Sequence, residues 1–467
     1  MQGADYDLTS CSRSSYQATV REDYSENGDA WSHFPHEHSR SRAYRWGEDG
    51  IGGISDSHQR LCFSLAVWNE QDPILKERLF GVTGHQGNHG EDVKELYYYL
   101  DSTPTHSYMK FLYKYPQRRY PYEELVNENV HRDRNVEEYE ILDTDIFDDD
   151  RYWDIFVEVS FFFVWWQLVI TKCQYAKDED DPDNVYIRIT SYNRGPDPAT
   201  LHVIPQLWFR NTWSWPAQKP PMPSLSAAST NNDISYIKVK HPDMGKSFLC
   251  CLPSPPPVGA DGKCIGDEDA VIQPDLLFTE NDTNFTRLYG GINQSAYVKD
   301  AFHDHIIPSH RPDCSDSKAP RGSDTPAASA STRSAAPQEL PYVSSEKRGT
   351  KSAAQYIFRD VPGRGGCAVV RLKLTPLSPN KDQSIEDEGA FDDVIEERRE
   401  EANEFYSSLL IGPISDDLKQ VMRQALGGML WTKQFYYFVQ KEWIEGDPAQ
   451  PPPPPGRRHI RNEVSQI

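Results

Sequence analysis

The sequence predicts a mainly β protein with an antiparallel sheet architecture, followed by helices toward its C-terminus. Short apolar or alternating runs between turn signals occupy residues 61–375, and a helical period replaces them from about residue 391. The chain has 467 residues, of which 37% are hydrophobic and 12% aromatic. This length and this apolar content are enough for a large core and exclude a single minimal domain.

The strands are predicted from apolar and alternating segments. Residues 61–68 (LCFSLAVW) form a continuous apolar run, and aromatic segments at 97–100 and 108–115 flank a turn at 102–104. In residues 185–210, Val185, Ile187 and Ile189 alternate, so we predict a strand, a turn at 193–195 and a second strand in an antiparallel sheet. Further strands are predicted at 234–239, 248–252, 356–359 and 368–374.

The C-terminal helices are predicted from apolar residues at helical spacing: Leu418, Val421, Met422, Ala425 and Met429, with Phe435, Tyr436 and Val439 beyond. Asp416 and Asp417 lie at the start of this helix, where acidic side chains complement the helix dipole. We therefore expect linker helices within residues 391–446.

The remaining segments are polar. Residues 1–40 are a polar N-terminal segment, residues 41–378 contain the β domain, and residues 447–467 form a tail with a polyproline tract. Residues 311–345 are mostly Ser, Ala, Pro, Thr and charged residues, a composition that cannot bury enough apolar surface to offset its ordering entropy. We predict a disordered surface insertion there.

Charge and cysteine content exclude several partners. With 49 Lys and Arg against 71 Asp and Glu, the net charge is −22, and such a field repels nucleic acid and anionic membrane surfaces. The eight cysteines include no CxxC pair, and the first 30 residues contain no apolar leader segment. We expect a cytoplasmic protein with reduced thiols, no metal or other cofactor, and no nucleic acid or membrane partner.

The common signatures of phosphoryl transfer, zinc proteolysis and serine hydrolysis are absent from the sequence. Two histidine groups remain: His33, His36 and His38 with Glu37, and His303, Asp304 and His305. Either group could bind a metal, but we prefer solvated loops, because the surrounding residues are turn-rich or polar.

A third polar group combines carboxylates with an indole in two Gly-rich loops. Its members are Arg45, Trp46, Glu48, Asp49, His89, Glu91 and Asp92. Carboxylates that polarise hydroxyls, beside an aromatic ring that stacks on a pyranose face, are typical of sugar sites. The alternative is that these carboxylates cap strands or pair with Arg45, Arg78 or Lys94, since Asp and Glu are common in such turns.

Three tryptophans follow or end the best predicted strand: Trp208, Trp213 and Trp215, interspersed with Arg210 and Asn211. They either form a binding rim or bury the end of a sandwich core. We prefer core packing, because large aromatic side chains dominate core energetics wherever they occur.

Six runs carry a resemblance to a known family: TVREDYSENGDAW, RAYRWGEDGIGGISD, DPILKERLFGVTG, GNHGEDVKELYYYLDSTPTHSYMKFLYKYPQ, LHVIPQLWFRNTWSW and VMRQALGGMLWTKQFYY. They resemble the N-terminal half of glycoside hydrolase family 63-like proteins, the mannosyl-oligosaccharide glucosidase relatives of fungi and bacteria, over residues 19–445. The resemblance implies a β-supersandwich, linker helices and then an (α/α)6 barrel. It also implies an inverting mechanism whose general acid and general base both belong to the barrel, about 6.5–9.5 Å apart with a water between them.

The resemblance does not extend into that barrel, so it assigns no catalytic residue to this chain. It implies a non-catalytic N-terminal region of an enzyme that hydrolyses a terminal α-linked sugar, in the manner of an α-glucosidase, from an oligosaccharide or small glycoside. The seven residues of the two Gly-rich loops match the family, and we expect them to bind substrate at the mouth of the barrel. We expect the chain alone to be inactive and its unpaired linker helices to promote self-association.

Two alternatives to this function stay open. The chain could be a carbohydrate-binding or scaffold module without catalysis. It could also be an enzyme whose site lies wholly within the sandwich, with Glu48 and Glu91 together in one deep pocket.

Residues 159–174 (VSFFFVWWQLVITKCQ) depart from the family, which continues from a strand directly into Tyr175. The apolar part at 161–170 is too short for a membrane span, which needs about 20 residues. Our hypothesis is a translated intron, because Val-Ser can be encoded GTNAGY and Gln can be encoded CAG, the usual intron ends. A buried strand is the alternative.

Overall fold

The computed structural model describes residues 36–45, 50–82, 86, 92–133, 135–161, 184–230, 234–265, 267, 270–307, 342–382, 388–432 and 439–449. In chain order, the strands of this part of the protein are β1 (Ile51–Ser55), β2 (Leu61–Trp68), β3 (Gly81–Val82), β4 (Asp92–Val93), β5 (Leu96–Ser102), β6 (Tyr108–Pro116), β7 (Tyr152–Phe161), β8 (Val185–Asn193), β9 (Ala199–Phe209), β10 (Ser224–Ser229), β11 (Ser235–His241), β12 (Gly245–Cys251), β13 (Asp275–Thr279), β14 (Arg348–Gly349), β15 (Lys351–Val361) and β16 (Gly366–Thr375).

The helices of the same ranges are α1 (His36–Ser39), α2 (Tyr122–Val130), α3 (Phe285–Tyr289), α4 (Ala301–Ile306), α5 (Glu388–Leu409), α6 (Asp416–Trp431) and α7 (Gln440–Glu445). Short 3-10 turns occur at Ile141–Asp143, Asp148–Asp150 and Pro379–Lys381. Within the described ranges, each helix is too short or too polar to cross a membrane.

Two large antiparallel sheets dominate the structure. The five-stranded sheet has the order β1-β2-β9-β15-β13, and the nine-stranded sheet has the order β14-β10-β11-β12-β16-β8-β7-β6-β5. A small third sheet joins β3 to β4. The predicted mainly β class is therefore confirmed, and the two sheets around one core are consistent with a β-sandwich.

The main core lies between the two large sheets. Alternate residues point into it, as Phe63 and Leu65 of β2 and Phe111 and Tyr113 of β6 do, and each of these is at most 4% exposed. Burying an apolar side chain of this size contributes about 1.5–3 kcal/mol to stability. Hydrophobic burial in this shared layer is what holds the two sheets together.

One sequence prediction needs correction, because the two strands predicted within 185–210 are not neighbours. β8 pairs with β7 and β16 in the nine-stranded sheet, whereas β9 pairs with β2 and β15 in the five-stranded sheet. The connection between them crosses from one sheet to the other, beside the crossing between β15 and β16, where the Arg364 N–H donates to the Gly195 carbonyl. A strand buried on both faces fits either sheet, so its sequence pattern does not identify its partner.

The other strand predictions are confirmed, with boundaries that move by a few residues, and α5, α6 and α7 confirm helices within residues 391–446. Phe435 and Tyr436 lie outside the described residues, and Val439 has extended backbone before α7 rather than helical backbone. Asp416 and Asp417 occupy the first turn of α6, and the Ser415 hydroxyl caps that turn by accepting the Leu418 N–H at 3.2 Å.

Several predicted segments lie wholly or mostly outside the described residues. These are most of the N-terminal segment (1–35), most of the predicted insertion (311–341) and the polyproline tract. The proposed intron begins within β7, where Val159 pairs with Ile187 and Phe161 with Val185, and residues 162–174 lie outside the described residues. Near the end of the predicted insertion, Ser344 is buried, and its N–H donates to the Phe278 carbonyl at 2.9 Å.

The outer face of each sheet has its own cover. Short pieces lie on the five-stranded sheet, and Phe302 and Ile306 of α4 pack with Ala66 and Ile204 of that sheet. The nine-stranded sheet carries α5, whose Phe391 ring lies 5.1 Å from the Tyr186 ring. Helix α6 lies along β5, the edge strand of that sheet, and so shields an edge that would otherwise expose unpaired backbone groups.

Candidate functional site

Most residues of the predicted sugar site fall in two loops whose structure is not described. Trp46, Glu48, Asp49, His89 and Glu91 lie outside the described residues, as does the side chain of Asp92, whose backbone belongs to β4. Arg45 is described with its side chain. The residues on either side of the two loops define where both loops leave the sandwich.

These flanking residues lie close to one another. The Arg78 guanidinium stacks over the Tyr44 ring at 4.9 Å. A Cβ added to Gly50 would lie 2.4 Å from the Ser64 hydroxyl oxygen, so the chain passes too close to β2 for any larger residue. The same Cβ would lie 3.4 Å from the Glu77 carbonyl oxygen, so Gly50, which follows the first predicted loop, lies close to the segment that precedes β3.

Arg45 connects this region to the end of the described chain. Its guanidinium pairs with Glu442 of α7 and with Asp447. Its carbonyl accepts a hydrogen bond from Arg210 Nη1 at 2.8 Å. Arg45, predicted to bind substrate, thus ties α7 and the residues after it to the end of the sheet.

A polar cavity lies on the outer face of the five-stranded sheet. We call it the outer cavity; it is lined by Ser64, Glu77, Arg78, Gln206, Trp208, Lys299 and Lys351. The strand pairing brings these residues together, because Gln206 lies opposite Ser64 and Trp208 lies opposite Lys351. The cavity has room for about one water-sized sphere.

A buried ion pair crosses the outer cavity. Glu77 Oε1 accepts from Gln206 Nε2 at 2.8 Å and from Lys351 Nζ at 3.2 Å. Lys351 Nζ also donates to the Lys299 carbonyl at 3.1 Å, and Lys299 Nζ in turn donates to the Arg42 carbonyl. The carboxylate of Glu77 is therefore occupied in holding two strands and a connecting segment together.

The neighbouring carboxylates are also engaged with donors. Asp282 Oδ1 accepts from Trp213 Nε1 at 2.9 Å and from Asn211 Nδ2 at 3.1 Å. Burial raises the pKa of Asp282 and the pKa of Glu280, because a buried carboxylate is costly to ionise. Asp300 accepts from the Ser41 hydroxyl at 2.6 Å. In the described part of the chain, these carboxylates act as structural acceptors.

The tryptophan interpretation that favoured packing is confirmed. Trp208, Trp213 and Trp215 are 3%, 1% and 4% exposed. Trp213 belongs to the core between the sheets, and Trp215 Nε1 donates to the Asn211 carbonyl at 2.7 Å. Trp208 differs from both, because it faces the outer cavity.

The histidine groups are built into local packing. The His36 ring lies 5.2 Å from the Phe80 ring and 6.1 Å from the Tyr122 ring, and burial, aided by the charge of Lys76, lowers its pKa well below the ordinary value. His303 Nδ1 accepts the Leu75 N–H at 3.2 Å. His33 and the side chain of Glu37 lie outside the described residues. Across the described ranges, no three His, Cys, Asp or Glu residues are grouped so that they could hold a metal ion.

A second buried polar cluster had no signal in the sequence. Lys76 pairs with Glu95 at 2.7 Å, and both side chains are fully buried. The Lys76 ammonium also lies 3.6 Å from the centre of the Tyr120 ring, and Tyr113 donates its hydroxyl to Glu95 at 2.7 Å. Distant segments contribute each member, so neither spacing nor composition could identify it.

Comparison with known proteins gives one relative and no family. No protein-family model matches the chain. An uncharacterized protein of Saccharomyces cerevisiae is 39% identical over 467 residues, an alignment that covers 96% of this chain and 38% of the yeast protein. The chain therefore spans less than two fifths of the length of the curated relative that it matches.

Proposed function

We propose that this chain is the non-catalytic β-sandwich region of a glycoside hydrolase that removes a terminal α-linked sugar from an oligosaccharide or small glycoside. The two catalytic carboxylates of an inverting mechanism would lie in a helical barrel outside the chain. The yeast relative is long enough to contain such a barrel, because the alignment leaves 62% of it uncovered. The resemblance of six sequence runs to family 63-like proteins supports the same assignment.

The observation that carries this proposal is the two-sided character of α6. On one side, Trp431 packs at 5.6 Å from Tyr99 and 5.8 Å from Phe111, and Gly427 lies against the backbone of β5. The other side is apolar and exposed. We call it the α6 stripe; it consists of Leu418 (44% exposed), Val421 (55%), Met422 (38%), Leu426 (36%) and Met429 (76%).

An apolar surface of this kind marks a site where another structure packs. Two apolar residues shortly before α6 are also exposed, because Leu409, the last residue of α5, is 52% exposed and Ile411, in the connection, is 85% exposed. In the proposal, the helical barrel of the complete enzyme covers this surface.

The contacts within the sandwich agree with a region that does not itself cleave sugar. The outer cavity has room for about one water-sized sphere, which is far too small for a pyranose ring. Glu77, the carboxylate that lines the cavity, is committed to hydrogen bonds with the protein, and so is the buried carboxylate of Asp282. Neither is free to protonate a glycosidic oxygen or to activate a water molecule.

The proposal is tested by comparing this chain with the complete yeast relative on a panel of α-glucosides and mannosyl compounds, with released monosaccharide as the measured product. We expect release by the relative and none by the isolated chain. Release by the purified isolated chain would contradict the proposal, as would an inactive but folded relative. Calorimetry with oligosaccharides on the isolated chain distinguishes a binding module, which would give heat, from the proposed region, which would not.

The role of the predicted loops is tested in the complete relative. We expect alanine at the positions that align with Glu48 and His89 to raise KM, because these side chains are proposed to contact substrate at the barrel mouth. Unchanged kinetics in both variants would remove the loops from the site without affecting the assignment of the barrel.

A further inference from the structure

Four cations share the outer face of the nine-stranded sheet near one of its edges. Lys240 of β11 lies opposite Lys246 of β12, whereas Lys238 of β11 and Arg348 of β14 both lie opposite Ser226 of β10. Residues that lie opposite one another, or two apart on a strand, point to the same face of a sheet. The two neighbours of Lys238 in β11 belong to the core between the sheets, so the four cations face away from it, and each is exposed. We call these four residues the basic patch.

The basic patch has no acidic partner within the described part of the chain. β10, β11, β12 and β14 contain no Asp or Glu, and none of the four cations makes an ion pair with a described residue. Asp243, in the turn between β11 and β12, and Glu346, shortly before β14, are close in sequence but do not pair with the patch. Lys240 and Lys246 also face each other on neighbouring strands, and like charges in that position are destabilising.

Other cations on the same face of this sheet do have carboxylate partners. Lys114 of β6 pairs with Asp154 of β7 at 2.6 Å, and Arg371 of β16 pairs with Asp392 of α5 at 2.7 Å. The unpaired charge is therefore a local property of the basic patch and not of the whole face. The chain as a whole has a net charge of −22, so a local excess of positive charge favours a negatively charged partner at this place.

The dimensions of the basic patch favour a short, extended partner. Lys238 and Lys240 are two positions apart, or about 7 Å along the strand, and β14 and β12 are three strand spacings apart, or about 14 Å. A distance of about 14 Å matches about four residues of extended chain. A nucleic acid or a membrane surface would extend beyond the patch and meet the negative field of the rest of the chain.

We propose that the basic patch binds an extended acidic segment of a partner protein. Carboxylates on one side of that segment would lie between the opposed lysines and neutralise both, and Arg348 would offer bidentate geometry to a further carboxylate. Two exposed methionines flank the patch and would supply apolar contacts: Met222, just before β10, is 46% exposed, and Met244, in the turn before β12, is 38% exposed. This inference does not rest on the proposed glycosidase function, and either proposal can fail without the other.

The first test is fluorescence anisotropy of a labelled hexaglutamate peptide mixed with the unaltered chain. We expect saturable binding that weakens as the ionic strength rises, because salt screens exposed charges over about 8 Å at physiological ionic strength. A hexaglutamine peptide with the same label should not bind. Absence of saturable hexaglutamate binding, or equal binding of the two peptides, would overturn the proposal.

Two matched double variants locate the binding site. Lys240→Gln, Lys246→Gln removes the opposed lysines, so we expect it to weaken hexaglutamate binding about tenfold through the loss of two charge pairs with the peptide. The control is Lys263→Gln, Lys419→Gln, which removes the same charge at two exposed lysines that lie outside the patch and already have carboxylate partners. Equal affinity in the two double variants would contradict the assignment to the basic patch.

Thermal unfolding without peptide tests whether the charges of the patch are unpaired. Lys240→Gln relieves the repulsion between the opposed lysines, so we expect its Tm to exceed that of the unaltered chain. Lys419→Gln changes the net charge equally but removes a paired lysine, and its Tm should not rise. A Tm for Lys240→Gln below that of Lys419→Gln would show that the chain itself neutralises Lys240, and it would overturn the proposal.

Two further probes separate an acidic protein segment from other anionic partners. The probes are vesicles of phosphatidylserine with phosphatidylcholine, and a labelled single-stranded oligonucleotide, each measured with the unaltered chain and with the two double variants. We expect both probes to bind more weakly than hexaglutamate. Tighter binding of either probe, lost in Lys240→Gln, Lys246→Gln, would make the patch a lipid or nucleic-acid surface and the proposal wrong.

Discussion

The two sheets of the sandwich are covered in different ways. Short segments close the outer face of the five-stranded sheet, and they carry buried ions such as Glu77 and Lys351. Two long helices pack against the nine-stranded sheet, α5 on its face and α6 on its edge. Helix α6 contacts the edge through Gly427 and Trp431 and leaves its apolar stripe exposed. Segments of this chain close the first cover, whereas the second leaves an apolar surface exposed.

Helix α5 is held on the nine-stranded sheet more by its buried side chains than by its exposed ion pairs. Arg188 contacts Asp392 at 3.3 Å and Glu396 at 3.1 Å, but these carboxylates are 33% and 38% exposed. Pairs that solvent reaches contribute about 0–1 kcal/mol each. The buried side chains Phe391 and Ile395 supply the firmer attachment of the helix.

The largest expected effect on the free energy of unfolding is the difference between substitutions on the two sides of α6. Trp431→Ala removes the ring that packs on Tyr99 and Phe111, so we expect the free energy of unfolding to fall by about 3–5 kcal/mol. Met429→Ala, at a position that is 76% exposed, should change it by about 0.5 kcal/mol or less. Urea unfolding of both variants measures the difference, and equal losses would show that the stripe is covered within this chain.

The next largest effect on stability is expected from the buried ion pair in the cover of the five-stranded sheet. Glu77→Gln keeps the shape of the side chain but leaves the buried Lys351 ammonium without its counter-charge, so we expect a loss of about 3 kcal/mol. Asp275→Asn removes the partner of Lys347 in a pair whose side chains are 60% and 44% exposed, and should cost less than about 1 kcal/mol. Similar losses in urea unfolding would mean that the outer cavity is hydrated.

Self-association tests the open surface of the α6 stripe. We expect the average mass of the isolated chain in sedimentation equilibrium to rise with concentration, because the exposed apolar stripe would pair with the stripe of a second copy. The double variant Val421→Lys, Met429→Lys should weaken this association at least about tenfold, which corresponds to about 1.4 kcal/mol. The control is Ile292→Lys, at a site that is 91% exposed outside the stripe, and its association should equal that of the unaltered chain. Unchanged association in the double variant would refute the role of α6.

The smallest expected effect is on stability at acid pH. As the pH falls, one carboxylate in each cover should change the free energy of unfolding, and the two changes should be opposite in sign. Burial alone would raise the pKa of Asp392, but the hydrogen bonds and charge of Arg371 outweigh it and lower the pKa, so this carboxylate stabilises the fold at neutral pH and loses its contribution as the pH falls. Burial raises the pKa of Asp282, so this group gains stability as the pH falls and it takes up its proton.

Asp392→Asn and Asp282→Asn separate these two contributions in urea unfolding between pH 7 and about pH 3, the range around the ordinary carboxyl pKa of about 3.9. The stability difference between the unaltered protein and Asp392→Asn should shrink toward acid pH. The corresponding difference for Asp282→Asn should change in the opposite direction. If the stability difference changed in the same direction with pH for both variants, the two carboxylates would not differ in their electrostatic contribution to stability.

Most strands could be predicted from the sequence because their burial leaves a local pattern. The run at β2 is apolar throughout and is buried throughout, and α6 follows from the spacing of Leu418, Val421 and Met422. The partner of β9 could not be predicted, because pairing depends on contacts with β2 and β15, far away in the chain. The same limit applies to the site, since Glu77 and Lys351 are 274 positions apart.

By itself, the sequence determined most of the strands, the helical region near the C-terminus and the apolar positions that recur at helical spacing, because these properties depend on neighbours within a few residues. Only the tertiary structure decided that β8 and β9 enter different sheets, that one side of α6 covers the β5 edge while the other stays exposed, and that Trp208 lines one cavity with Arg78, Lys299 and Lys351. Those outcomes depend on which surfaces remain to be buried once the sheets have packed, and that is a property of the whole assembly of elements.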